Sequence, residues 1–322
     1  MKKHYLLNTV AMVIATIGLT ISGHAAVQHY RQSTVPTIFV HGWGSGAHAE
    51  DKMAKAAVRA GVTKTIVRAN VDRQGKVTFN RHIPHGAINP IVEVNLEDNK
   101  LSHYQSNYTK GYHHGGTYVK NVVTALEGQG NFPAINLVGH SMGNLEIANY
   151  INDNAGHLPK IDHLVAIAGH YNGLVGQATA EGNINTTTGK PVHEDSSYRA
   201  LLSLRNNFPR NTRVLNIYGN LDDGSKSDGD VPVNSAKSLK YLVAGRAKSY
   251  QELELHGKSA QHSKLHNNNH QVDQALINFL WVINKSLVFP NPCLVRQFQG
   301  FPGGNLLYPS TGQSQTGRQP AG

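Results

Sequence analysis

The sequence predicts an α/β fold, a mostly parallel central sheet with helices on both of its faces. Two observations predict it. Short apolar runs of strand length alternate with helical patterns from residue 37 to residue 283, the rhythm of a parallel sheet covered on both sides. The composition allows it. With 39% apolar residues, 322 residues suffice for one large core, and 32 glycines with only 16% charged residues suit a loop-rich globular chain.

The elements follow in order. Residues 37–40 are an apolar run ending in His41-Gly42-Trp43-Gly44, a buried strand entering a glycine turn. Met53, Ala56, Ala57 and Val58 recur at helical spacing before Gly61. Residues 65–71 and 76–79 alternate about Asp72-Arg73-Gln74-Gly75 and predict a hairpin. A strand is expected over 91–96, a helix over 112–126, a strand over 134–138 and a helix over 144–152. The second half repeats the rhythm, with strands over 163–167, 214–218 and 250–255 and helices over 233–242 and 272–283. Between them, 169–210 is polar and rich in Gly, Asn and Thr, with one helical piece over 197–204. It is expected to form a small polar cap. After residue 287 a stretch of Pro, Gly, Ser and Gln without period predicts a disordered tail to residue 322. The folded domain is therefore expected over 34–286.

Lys2, Lys3 and His4 precede an apolar stretch over 5–21, followed by the small residues Gly23 and Ala25. This is the order of a secretory signal over 1–25. An uncleaved membrane anchor is the alternative, since the apolar run approaches the length that spans a bilayer. Either way the expected location is outside the cytoplasm, secreted or tethered. The formal charge of +10 favours weak association with an anionic envelope, such as acidic headgroups or cell-wall polymers. Nucleic acid is disfavoured, because the basic residues are scattered and not interleaved with aromatics. The one cysteine, Cys293, excludes an intramolecular disulfide and a thiolate metal cluster.

Gly139-His140-Ser141-Met142-Gly143 carries the chemistry. It has the G-x-S-x-G form, with a strand-like run before it and a helix-compatible run after it. The glycines are needed because such a serine sits on a sharp, strained turn where neighbouring side chains would clash. An oxyanion hole requires two backbone N–H groups aimed at the developing charge. One is expected from Met142, directly after the serine. The other is expected from Trp43, in the turn after the first strand.

The segments 36–44 and 139–143 together resemble the α/β-hydrolase superfamily. More narrowly, 138–144, the stretch Ser227-Asp228-Gly229-Asp230-Val231-Pro232 and residues 261–268 resemble Gram-positive cell-surface hydrolases of uncharacterised substrate. The resemblance runs from Thr34 to Trp281. It implies an α/β-hydrolase fold and a catalytic order Ser, Asp, His along the chain. The implied acid is Asp228, in a loop that resembles the acid loop of bacterial lipases; Asp222 and Asp223 remain alternatives. A calcium ion held by this acidic loop is a further alternative. The implied base is His262, ahead of His266, with His256 too near its strand. Together Ser141, His262 and Asp228 imply acyl transfer through an acyl-enzyme, with no cofactor and with an ester-containing small molecule or lipid as substrate. An acyltransferase using the same residues and a non-catalytic surface-binding module on a hydrolase scaffold are the competing readings.

Overall fold

The computed structural model describes residues 29–283. The expected export segment over 1–25, the tail after 287 and Cys293 lie outside the described residues. Among the described residues, eight strands make one sheet: β1 (Thr37–Val40), β2 (Ile66–Val71), β3 (Val77–Phe79), β4 (Ile91–Leu96), β5 (Ile135–His140), β6 (Ile161–Ile167), β7 (Arg213–Asn220) and β8 (Ser249–His256). Their order is β3-β2-β4-β1-β5-β6-β7-β8, and every pairing is parallel except β2 with β3. The antiparallel edge is the expected hairpin.

Alternation along each strand divides the core. Ile38, Val40, Leu137 and Leu164 face one cluster, filled by α2 (Tyr108–Glu127) and α3 (Met142–Asp153). Phe39, Val138, Val165 and Leu215 face the other. It is filled by α1 (Asp51–Arg59) and by a last helix, His270–Leu280. Both faces are thus covered, which is why every residue of β1 and β5 is buried. Helices α2 and α3 approach closely at Gly116, where a Cβ would stand 2.8 Å from the Tyr150 nitrogen.

Several helix boundaries differ from the sequence expectation. Helix α2 begins four residues early because Asn107 caps it, accepting from the Lys110 N–H. The piece expected over 197–204 is two short helices, α5 (Ser196–Ala200) and α6 (Leu204–Asn207), preceded by α4 (Ala178–Glu181). The helix expected over 233–242 is likewise two, α7 (Val233–Lys237) and α8 (Leu239–Val243), with Ser238 between them. The Ser238 hydroxyl donates to the Ser235 carbonyl, the local side-chain bond that competes with helical continuation. The last helix, α9, starts at His270 behind the Asn269 cap and stops at Leu280.

The strand order places a site. From β1 the chain moves to one side of the sheet, and from β5 to the other. The carboxyl ends of these two neighbours bound the crevice where open α/β sheets bind ligands. His41 and Gly42 follow β1, and Ser141 follows β5. Among the described residues, no helix is long and apolar enough to cross a membrane.

Candidate active site

Ser141 joins β5 to α3 with φ +51° and ψ −120°, a conformation rare for a residue with a side chain. The surrounding contacts hold it there. The Ser141 N–H donates to the Ile167 carbonyl at 2.9 Å. The Asn144 amide donates to the carbonyls of Ile167 at 2.8 Å and Ser141 at 3.2 Å. A Cβ at Gly143 would lie 2.3 Å from the Val40 carbonyl oxygen, and one at Gly139 would lie 2.6 Å from Asn144 Oδ1. Both glycines of the motif are therefore needed for close approach, one to β1 and one to α3.

Asp228 lies in the loop after β7, buried at 1% exposure. Its Oδ1 accepts from the backbone N–H groups of Asp230 at 3.0 Å and Val231 at 2.7 Å. His262 opens a single helical turn after β8, with Gln261 Oε1 accepting from the Ser263 and Lys264 N–H groups. Asp228 Oδ2 accepts from His262 Nδ1 at 2.8 Å, and His262 Nε2 stands 3.0 Å from Ser141 Oγ. With Nδ1 donating, Nε2 presents its lone pair to the serine hydroxyl. That geometry suits removal of the hydroxyl proton and its delivery elsewhere.

The alternative residues take other partners. His266 Nδ1 donates to the Ala49 carbonyl at 3.1 Å. Asp222 bonds His256 Nδ1 at 2.8 Å, but this pair is exposed, and His256 Nε2 faces Glu254 at 3.8 Å. Asp223 accepts from the Ser225 N–H. Among the described residues, no three acidic side chains of this loop come within 4.8 Å of one another.

In the turn after β1, the N–H groups of Gly44 and Ser45 donate to the Asn99 and Gly42 carbonyls. The Trp43 N–H makes no such bond among the described residues. Met142, first in α3, has no carbonyl four residues back inside the helix. The turn is braced by His41, whose Nδ1 donates to the Gly42 carbonyl while Nε2 accepts from the Leu96 N–H. Burial lowers the His41 pKa to about 4, which keeps the ring neutral for that dual role.

Other buried polar residues went unread in the sequence. His140 packs against the rings of His262 and His266, and burial holds its pKa well below the ordinary value. His170, lowered by burial to about 3, bonds the Tyr112 hydroxyl at 3.0 Å. Glu50 and Glu146 are fully buried acids. Only His140 stood inside a motif, as its variable position. The others carry no local signal, because their burial comes from distant elements.

Ser141 and His262 open onto a cleft of about 1380 Å³. One wall is polar, with Asn107 and Thr109 from the start of α2 and Ser196 and Ser197 from α5. Trp43, Leu174 and Val175 are the exposed apolar residues of its lining.

No curated protein matches the sequence significantly. Among solved structures, the lin2722 gene product from Listeria innocua superposes with a TM-score of 0.68 at 25% identity, covering 76% of this chain and 93% of that one. A "putative cell surface hydrolase" from Lactobacillus plantarum WCFS1 superposes with a TM-score of 0.59 at 18% identity, covering 77% and 90%. Residues 24–283 match the family described as alpha/beta hydrolase of unknown function (DUF915), and the chain belongs to that family of hydrolases.

Proposed function

We propose that this chain is a serine hydrolase that cleaves carboxylic esters outside the cytoplasm, with Ser141 as nucleophile, His262 as base and Asp228 as the acid that orients it. The observation that carries the reading is the continuous hydrogen-bond chain from Ser141 Oγ through the His262 ring to Asp228. Ser141 attacks the acyl carbonyl as His262 takes its proton. The oxyanion is received by the N–H groups of Trp43 and Met142. His262 returns the proton to the departing alkoxide, and an acyl-enzyme remains. Water, deprotonated by His262, attacks the acyl carbon, and the proton passes from His262 to the departing Ser141 Oγ as the acid is released. No step calls on a cofactor.

The substrate is an ester-containing small molecule or lipid. Segment 169–210 acts as a cap, since its residues form part of the cleft wall. Export follows from the charged, apolar and small-residue order over 1–25, which precedes every residue of the site. The net positive charge then gives weak, salt-sensitive attachment to an anionic envelope.

A fluorophosphonate probe tests the central claim without knowledge of the substrate. The full chain is expected to label once per molecule, and Ser141→Ala is expected not to label while melting as the parent does. Equal labelling of the two proteins would overturn the assignment.

A further inference from the structure

Behind the Ser141–His262 pair, three polar side chains converge from three separate segments. Glu50 comes from the turn leading into α1, His140 from the end of β5 and His266 from the loop before α9. One nitrogen or carboxylate oxygen from each lies within 4.8 Å of the other two. Glu50 is 1% exposed, and neither of its carboxylate oxygens has a hydrogen-bond partner among the described residues. His266 Nδ1 stands 3.9 Å from Glu50 Oε1, beyond hydrogen-bond reach. A carboxylate removed from water without a partner is costly.

Both rings have a lone pair to offer. His140 Nε2 faces the His262 carbonyl at 3.3 Å, and His266 Nδ1 faces the Ala49 carbonyl at 3.1 Å. A carbonyl only accepts, so each of these nitrogens carries the hydrogen and each ring keeps one bare nitrogen. From this convergence we infer that Glu50, His140 and His266 form a binding site for a divalent transition-metal ion, zinc by its donor set. Two imidazole nitrogens and one carboxylate oxygen suit zinc, whereas calcium and magnesium take oxygen-only shells. Tetrahedral bonds of about 2.1 Å place ligand atoms about 3.4 Å apart, a contraction from the present spacing of up to 4.8 Å. Because the His266 nitrogen near Glu50 is the Nδ1 that donates to Ala49, the ion's arrival moves that ring's hydrogen to Nε2 and breaks the Ala49 bond. The two rings are tilted, with centroids 3.9 Å apart and 34° between their planes, so closure also changes their relative orientation. His140 and His266 line the cleft, which provides a path for the ion and a water to complete its shell.

The ion would be structural. It ties together the segment after β1, the residue next to Ser141 and the loop four residues beyond His262. The inference does not depend on the substrate or on the hydrolase assignment.

The test uses the full chain, stripped with a chelator and titrated with zinc, magnesium or calcium chloride. Calorimetry is expected to give one zinc per chain and a melting temperature raised by several degrees, with magnesium and calcium inert. Ser141→Ala keeps this response and Glu50→Gln loses it. Cobalt chloride supplies a readout on the parent that does not require the variant to fold, through ligand-field bands of a four-coordinate nitrogen and oxygen site. A Glu50 carboxyl that is merely protonated would leave zinc without effect on melting and cobalt without bands. That result, or a Glu50→Gln protein that binds zinc as the parent does, overturns the site.

Discussion

Asp228 holds His262 twice. Its carboxylate Oδ2 accepts from the ring Nδ1 at 2.8 Å, and its main-chain carbonyl accepts from the His262 backbone N–H at 2.9 Å. The ring and its loop are therefore positioned by one residue, with the backbone bond independent of the side chain. Asp228→Asn tests the proposed role with little structural disturbance. An asparagine whose oxygen keeps the Asp230 and Val231 N–H bonds turns its amide hydrogens toward His262. The ring then donates from Nε2 and cannot receive the Ser141 proton. The expected loss in turnover number is roughly 10⁴-fold with melting unchanged. Retained turnover would remove Asp228 from the mechanism.

The Asp222–His256 pair is a second acid–histidine contact on the adjoining loops, at the same 2.8 Å. It is exposed, with 52% and 42% of the two side chains accessible, and solvent screens it. His256→Ala is expected to leave ester cleavage within about twofold of the parent, whereas His262→Ala loses roughly 10³-fold or more. Steady-state kinetics on both variants decides between them.

Gly143→Ala is expected to disable the nucleophile turn. The new Cβ would meet the Val40 carbonyl at 2.3 Å and the His41 carbonyl at 2.8 Å. Both are backbone atoms of β1 and its turn, so α3 must shift. A cost of about 1–3 kcal/mol in stability is expected, with strongly slowed probe labelling. Gly61→Ala is the control, since a Cβ there meets nothing within 4 Å and only its φ of +79° is strained. It should label at the parent's rate.

Glu146 predicts a pH dependence of stability. Burial, assisted by the nearby Asp98 charge, raises its pKa to about 8. Between about 4.5 and 8 the folded state holds a proton that the unfolded chain releases, so this group's contribution to stability falls as pH rises. Glu146→Gln removes the dependence. The variant's melting temperature is expected to gain on the parent's steadily from pH 5 to pH 8. A difference constant across that range would mean that Glu146 does not titrate there.

Location is tested by fractionation of cells producing the full chain or a chain lacking residues 1–25. Export of the first and retention of the second is the expected result. Recovery of both in the cytosol would overturn the extracellular reading. An exported chain that still begins at Met1 would identify the segment as an anchor.

Local features of the sequence were sufficient for the strand–helix rhythm, the hairpin about Asp72 and the turn around Ser141. Each is written in consecutive residues: apolar alternation, a turn tetrapeptide, glycines on either side of a serine. The family resemblance supplied the order of acid and base along the chain. Which aspartate and which histidine meet was decided only by the tertiary structure. Asp222, Asp223, Asp228 and Asp230 are chemically alike and lie within nine residues. They are separated by how the loop after β7 folds, where Leu221 and Ser227 bond and Asp228 turns inward toward His262. The breaks near Leu201 and Ser238 also escaped the helical pattern, because side-chain hydrogen bonds and packing override a period. Glu50 illustrates the limit. Nothing beside it in the chain marks it as buried, and its closeness to His140 and His266 exists only once the segments after β1, β5 and β8 meet at the carboxyl end of the sheet.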